Sequence, residues 1–450
     1  MTVHHDEALL RVELPFAGEL PRFRNDDLGL RNLSARLGPL SSGDQVVTLL
    51  DAPDQRLLRS GVQLAHRVAD EVGEWYLAAP DWLVDLPAEH VVPLTDDGDL
   101  PDEILQWTRP FRRNGTLGPV AALTVTRREF TVRNVTGESV GRVLQERVTV
   151  RRTGLITARF HEVTVQVQAE VTVEQRAWIR QALIMAGASV VDAFPPLVQR
   201  LGAPATGPSD FPDPADIEVD AVRGWVSAVV AGHVRRLVLA DLCAPRPMTA
   251  VQDRATRLRA DLAALSPLLG PDWMSEVSLD LAWLGRLDPT DPGPLQGQRY
   301  LGLLDALAGC TRHPDVGDAA LLDSRQAADQ LIRDTVAEAV LQCDALTDRS
   351  DDDQWQSALE AVRRAADAAS LGRRISSKKA RRRATRVRRA TRGIDSCVDD
   401  GAAWLVERAA AEPAAAFELG REYERRLRRL RRNRRNFVAH WVDSTAKQRT

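Results

Sequence analysis

Residues 202–216, GAPATGPSDFPDPAD, constrain this chain most, because they separate two hydrophobic periods that cannot share one architecture. Their prolines fix φ and lack the N–H a ladder needs, so the stretch predicts a linker between domains over 1–201 and 217–450. Before it, alternating or β-branched runs recur at 9–14, 45–50, 62–68, 74–78, 120–132, 141–151 and 156–173. Polar turns such as Asn114-Gly115 and Thr136-Gly137 divide them, which predicts an antiparallel sheet or barrel. One helix stands out there, over 173–187, entered after Thr172 and closed by Gly187. After the boundary the apolar period becomes 3.6, with helices expected over 222–242, 251–269, 274–287, 299–309, 319–346, 354–371, 377–398, 402–411 and 414–441. The fold class expected is therefore α+β, an antiparallel β-barrel followed by an all-α bundle.

Charge divides the chain as well. Residues 372–450 carry 23 Lys and Arg against 9 Asp and Glu, whereas residues 1–371 carry 37 against 54. The formal charge of −3 thus hides a polarised molecule whose basic end should meet a polyanion. The densest part, 373–392, holds eleven cations and no acid. Ala380, Ala384, Val387, Thr391, Ile394 and Val398 recur within and beyond it at spacings of four and three, predicting one amphipathic helix. Tyr423, Leu427, Leu430, Phe437 and Trp441 repeat the pattern in the last helix. The cations then lie on outer faces of packed helices, where unrelieved repulsion favours a counter-anion.

Other chemistry finds little support. No run of 18 apolar residues exists, and the first residues lack a signal peptide's basic start and apolar core. Cys243, Cys310, Cys343 and Cys397 are scattered, without CxxC or a histidine at ligand spacing, and read as buried thiols of a cytoplasmic protein. There is no Gly-rich phosphate loop and no G-x-S-x-G elbow. The histidines are terminal or isolated and read as structural.

Residues 47–80 carry Asp51, Arg56, Leu57, Gly61, Leu64, Arg67, Trp75 and Leu77 in an order that resembles the core of the CYTH family. That family includes class IV adenylyl cyclases, thiamine triphosphatases and inorganic tripolyphosphatases. Residues 121–150 are similar to its next hairpin, 158–168 to its acidic strand and 179–187 to the helix that follows. The resemblance implies a closed barrel whose tunnel holds triphosphate on basic side chains and Mg²⁺ or Mn²⁺ on glutamates. This chain departs from that pattern. Of the E-x-E-x-K signature it has Glu7, Leu9 and Arg11; the acidic strand reads Glu162, Thr164 and Gln166. Ala65, Ala78, Thr124 and Thr126 stand where cations are usual, while Arg67 and Arg127 remain. The carboxylates left for a metal are Glu7, Glu146 and Glu162. The implied residual site is Glu7, Arg11, Arg67, Arg127 and Glu162. The same residues also read as ordinary interior ion pairs.

Residues 217–450 resemble a CHAD domain, a helical domain that commonly follows CYTH and binds polyphosphate through paired basic helices. Its first copy is similar to TAVQDRATRLRADL, where Thr249 and Gln252 replace a histidine and an arginine while Arg257 and Arg259 match. Its second is similar to EAVRRAADAAS, with Glu360 at the histidine position, Arg363 and Arg364 matching, and Asp367, Ala368 and Ser370 in place of cations. The closing residues 414–432 also resemble the family's end.

The expectation is binding of inorganic polyphosphate or a related polyanion through Arg257, Arg259, Arg363, Arg373, Arg374, Lys378, Arg381 and Arg388. The barrel is expected to have lost efficient triphosphate hydrolysis, and so to need no cofactor; Mg or Mn enters only if it is active. Two rivals stay open: a metal-dependent triphosphatase with a reduced acidic site, and a nucleic-acid binder using the basic helices. A membrane partner is not expected, and the expected location is the cytoplasm, in association with polyphosphate granules.

Overall fold

The computed structural model of the chain describes residues 9–36, 42–82, 86–95, 98–242, 248–398, 408 and 416–449. Two compact units arise, Met1–Asp210 and Phe211–Thr450. Glu7 and Cys243 lie outside the described residues.

The first unit is one antiparallel sheet of ten strands. These are β1 (Leu9–Leu14), β2 (Leu30–Ala35), β3 (Ser42–Asp51), β4 (Gln63–Ala69), β5 (Val72–Ala78), β6 (Glu89–Pro93), β7 (Gly118–Asn134), β8 (Ser139–Arg152), β9 (Leu155–Val167) and β10 (Ser189–Val191). Their order is β10-β1-β9-β8-β7-β3-β4-β5-β6, with β2 also paired to β7. The expected closed barrel is not seen: among the described residues the ladder is open, with β10 and β6 at its two ends. Its end strands β6 and β10 are short, and β6 ends on Pro93, which has no N–H to donate.

Period two sorts the side chains onto two faces. Val12, Leu14, Val132, Val143, Val163 and Val165 pack on one face against Ile179 and Leu183 of helix α3 (Val173–Met185). The helix starts where expected because Thr172 and Gln175 form a capping box. The opposite, inner face gathers Val47, Leu49, Ala65, Tyr76, Ala121, Leu123, Val148 and Val150. It is filled from the unit's own chain: Leu201 and Ala205 are buried there, with Leu197 and Val198 packed alongside. Leu197–Leu201 is the short helix α4. Two further helices, α1 (Arg56–Arg59) and α2 (Asp102–Arg112), complete the unit.

The second unit is helical: α5 (Val222–Leu242), α6 (Thr249–Leu265), α7 (Pro271–Leu284), α8 (Gln298–Arg312), α9 (Ser324–Asp344), α10 (Asp352–Leu371), α11 (Lys378–Ala390) and α12 (Ala416–Arg449). Asp323, Asp351 and Ser377 cap α9, α10 and α11 by accepting N–H bonds from the first turn. Alanines let α9, α10 and α11 approach closely, with Ala339, Ala361, Ala365, Ala380 and Ala384 in one cluster with Ile332, Val336 and Val387. A second cluster joins Trp355 to Phe437 and Trp441 of α12. The helix expected over 377–398 ends earlier, at Ala390. Gly393, at φ +92°, turns the chain into a short 3₁₀ segment, Ile394–Cys397, whose Ile394 and Cys397 still reach the core. The apolar stripe therefore crosses a break. The helix expected over 402–411 falls almost wholly outside the described residues.

Candidate functional site: a basic cleft and an ion-paired sheet face

On α11 the apolar residues fall on one face, so the cations are forced outward. Ala380, Ala384, Val387 and Ala390 are buried, whereas Lys378, Lys379, Arg382, Arg383, Arg386, Arg388 and Arg389 are exposed. Among the described residues none of them forms an ion pair with an acid. A cleft of ≈ 510 Å³ opens between α10 and α11, with Ala365, Ala366, Ala369 and Ala384 among its walls. Arg373, Arg381 and Arg388 line it. The Arg381 Nη1 donates to the carbonyl of Arg373 at 3.0 Å, which fixes one side chain against the turn bearing the other. A second cleft of ≈ 430 Å³ on α11 is lined by Lys378, Arg381, Arg382, Thr385, Arg386 and Arg389, so Arg381 and Thr385 serve both. Arg374 is exposed just before α11.

The remaining sequence-predicted cations stand apart from this cleft. Arg257 lies 2.7 Å from Asp261 and 3.1 Å from Asp367, and Asp261 also meets His233 at 2.7 Å. Burial raises the Asp367 carboxyl above the usual carboxylate range, against the pull of Arg257. Arg363 pairs with Asp395 at 3.0 Å, and Arg259 is exposed on α6. The basic segments also contain a structural arginine. Arg434 on α12 is buried, donates to the Cys397 carbonyl at 2.9 Å, meets Asp352 at 2.5 Å and lies over Trp355.

In the sheet, register puts the predicted residues on one face. Arg11 stands opposite Thr164, Glu162 opposite Glu146, Glu146 opposite Arg127, and Val47 opposite Arg67. All share the inner face, and acids accompany them. Arg67 lies 3.0 Å from Glu74 and 3.6 Å over the Tyr76 ring. Arg127 lies 3.7 Å from Glu146, and Arg11 donates to the Asp192 carbonyl at 3.0 Å. Glu129 is buried between Arg142 at 2.6 Å and Arg36 at 2.9 Å. Burial acts to raise its pKa, but the two guanidiniums outweigh that and hold it low. Glu162 accepts from Arg200 at 2.9 Å, and Arg200 also bonds Glu13. Burial nevertheless keeps the Glu162 carboxyl above its usual range, with Glu146 and Glu13 adding to the shift.

Glu13, Glu74, Glu129 and Arg200 were not singled out from the sequence. Glu13 and Glu129 were legible, each two residues from an inward arginine. Arg200 carried no periodic signal. Among the described residues no group of three or more His, Cys, Asp or Glu side chains is arranged to hold a metal. Among the described residues no helix is long and apolar enough to cross a membrane.

No protein-family model matches the chain, and no curated protein matches it. Solved structures are similar over the N-terminal part. One is a candidate adenylate cyclase from Bacillus halodurans, at 15% identity and a TM-score of 0.24, covering 36% of this chain and 84% of that one. Another is a candidate adenylyl cyclase from Hippeastrum, described as having a dominant triphosphatase activity. It matches at 12% identity and a TM-score of 0.25, over 44% of this chain and 98% of its own. A third is the PH1819 protein of Pyrococcus horikoshii OT3, at 12% identity and a TM-score of 0.21, over 41% and 91%.

Proposed function

We propose that the helical unit binds inorganic polyphosphate, or a linear polyanion of the same repeating chemistry, in the cleft between α10 and α11. The observation that carries this reading is the convergence of Arg373, Arg381 and Arg388 on one cleft beside a helix whose cations meet no acid among the described residues. Guanidinium groups donate forked hydrogen bonds to phosphate oxygens, and a repeating ligand sums many modest contacts. The positions that the CHAD resemblance points to contribute less: Arg257 and Arg363 are already held by carboxylates. Binding therefore centres on α11.

The sheet unit is proposed to be a CYTH-like tunnel that does not hydrolyse triphosphate efficiently. Its inward arginines Arg67, Arg127 and Arg200 each face a glutamate, so a triphosphate would have to break those pairs before gaining its own. A cytoplasmic location on polyphosphate granules accompanies this reading. Incubation of the full chain with tripolyphosphate and Mg²⁺ or Mn²⁺ tests the sheet unit. The expected result is no phosphate release above that of a Glu162→Gln control; release that the substitution abolishes would establish the triphosphatase alternative. Competition between duplex DNA and long-chain polyphosphate at one salt concentration tests the ligand class, and polyphosphate should win.

A further inference from the structure

The sheet sets three carboxylates side by side. Glu13 on β1 stands opposite Glu162 on β9, and Glu162 stands opposite Glu146 on β8. Like charges directly across a ladder repel, so the arrangement needs a cation. Arg200 supplies it. One Nη2 bonds both Glu13 and Glu162, and the guanidinium lies over the Phe160 ring at 4.5 Å. Apolar packing delivers this group rather than chance placement. Leu201 and Ala205 are buried in the inner-face cluster and Leu197 and Val198 pack against it, which pins α4 on both sides of Arg200. Arg200 and Glu162 are 17% and 14% exposed, shielded enough for the pairing to matter.

We infer that Arg200 is a built-in cation standing where a CYTH-type site would use a divalent metal, and that the sheet unit therefore takes up no Mg²⁺ or Mn²⁺ through Glu162. Mg²⁺ binds carboxylate oxygens at about 2.0–2.1 Å in near-octahedral geometry. A guanidinium nitrogen 2.9 Å from the Glu162 oxygen fills the space such an ion would need. Withdrawing it would break its bonds to Glu13 and Glu162 and its contact with the Phe160 ring. The residues present thus fit an arginine and not a metal. This inference rests on the CYTH-like reading of the sheet unit and does not depend on polyphosphate binding.

Titration of the full chain with MnCl₂, read by loss of the free Mn²⁺ electron paramagnetic signal, tests the inference. The wild type should take up no Mn²⁺ that Glu162→Gln removes. Arg200→Met should gain a site at least about tenfold tighter than any in the wild type, since Glu13 and Glu162 then lose their shared cation while Glu146 keeps Arg127, and Glu162→Gln in that background should remove it. Mn²⁺ uptake by the wild type that depends on Glu162 would overturn the inference, as would a folded Arg200→Met protein that gains none. The wild-type arm decides by itself if Arg200→Met does not fold. Polyphosphate binding in the same variants should not change, so failure of either reading shows separately.

Discussion

Asp367 holds Arg257 at 3.1 Å, one residue from each of the two sequence segments that resemble the paired CHAD motifs. A position where a second cation is usual thus carries the acid that neutralises the first. Replacing Asp367 with Asn removes one of the two carboxylates on Arg257 and leaves the guanidinium on Asp261 alone, so polyphosphate binding should tighten by about 0.5 kcal/mol, about twofold. Arg257→Ala in the wild-type background should change affinity by less than about twofold. Fluorescence anisotropy with labelled polyphosphate measures both. A large loss in Arg257→Ala would place the ligand on α6 instead of α11.

Arg434 shows why the last helix cannot be read as ligand surface throughout. Its bonds to the Cys397 carbonyl and Asp352, together with its place over Trp355, tie α12 to the bundle. Arg434→Ala should destabilise the helical unit by about 2–3 kcal/mol, because a buried acceptor loses its donor and the arginine stem's packing goes with it. Arg435→Ala, at an exposed position, should stay within about 0.5 kcal/mol. Denaturant unfolding of the two variants compares them directly.

The period change at residues 202–216, most of the strands and the amphipathic character of α11 were legible, since period two and period 3.6 follow directly from which residues must be buried. The inner face was legible too, because alternation places Arg11, Arg127, Glu146 and Glu162 whatever the rest of the chain does. What alternation cannot supply is the partner. Arg257 meets Asp367 and Arg200 meets Glu13 only once distant segments pack, and no local pattern encodes either pair. The break after Ala390 was missed because Ile394 and Cys397 return to the core and keep the stripe apparently continuous across Gly393.

Asp51 predicts a pH dependence in the sheet unit. It is buried, and accepts N–H bonds from Ala52 at 2.6 Å, Leu57 at 3.0 Å and Leu58 at 2.9 Å, which organises the turn into α1. Burial nonetheless pushes its carboxyl from the ordinary 3.8 up to about 6. A folded pKa above the unfolded one means that the stability increment is complete below the unfolded value and fades as pH rises through about 6. Its size is roughly 3 kcal/mol, at about 1.4 kcal/mol per unit. Asp51→Asn removes the titration and also places an amide N–H₂ against a donor, costing about 1–3 kcal/mol at low pH. The stability advantage of the wild type over Asp51→Asn should therefore shrink between pH 4 and pH 7. An advantage that grows with pH would contradict the assignment. Urea unfolding at the two pH values decides it.

The most direct test of the central claim is a polyphosphate titration of the full chain against the Arg373→Ala, Arg381→Ala, Arg388→Ala triple variant at one fixed ionic strength. All three side chains line one cleft, and losing about 1 kcal/mol from each should weaken binding by about a hundredfold and flatten its salt dependence. Unchanged affinity in the triple variant, with its helical circular dichroism intact, would contradict the placement of the ligand between α10 and α11.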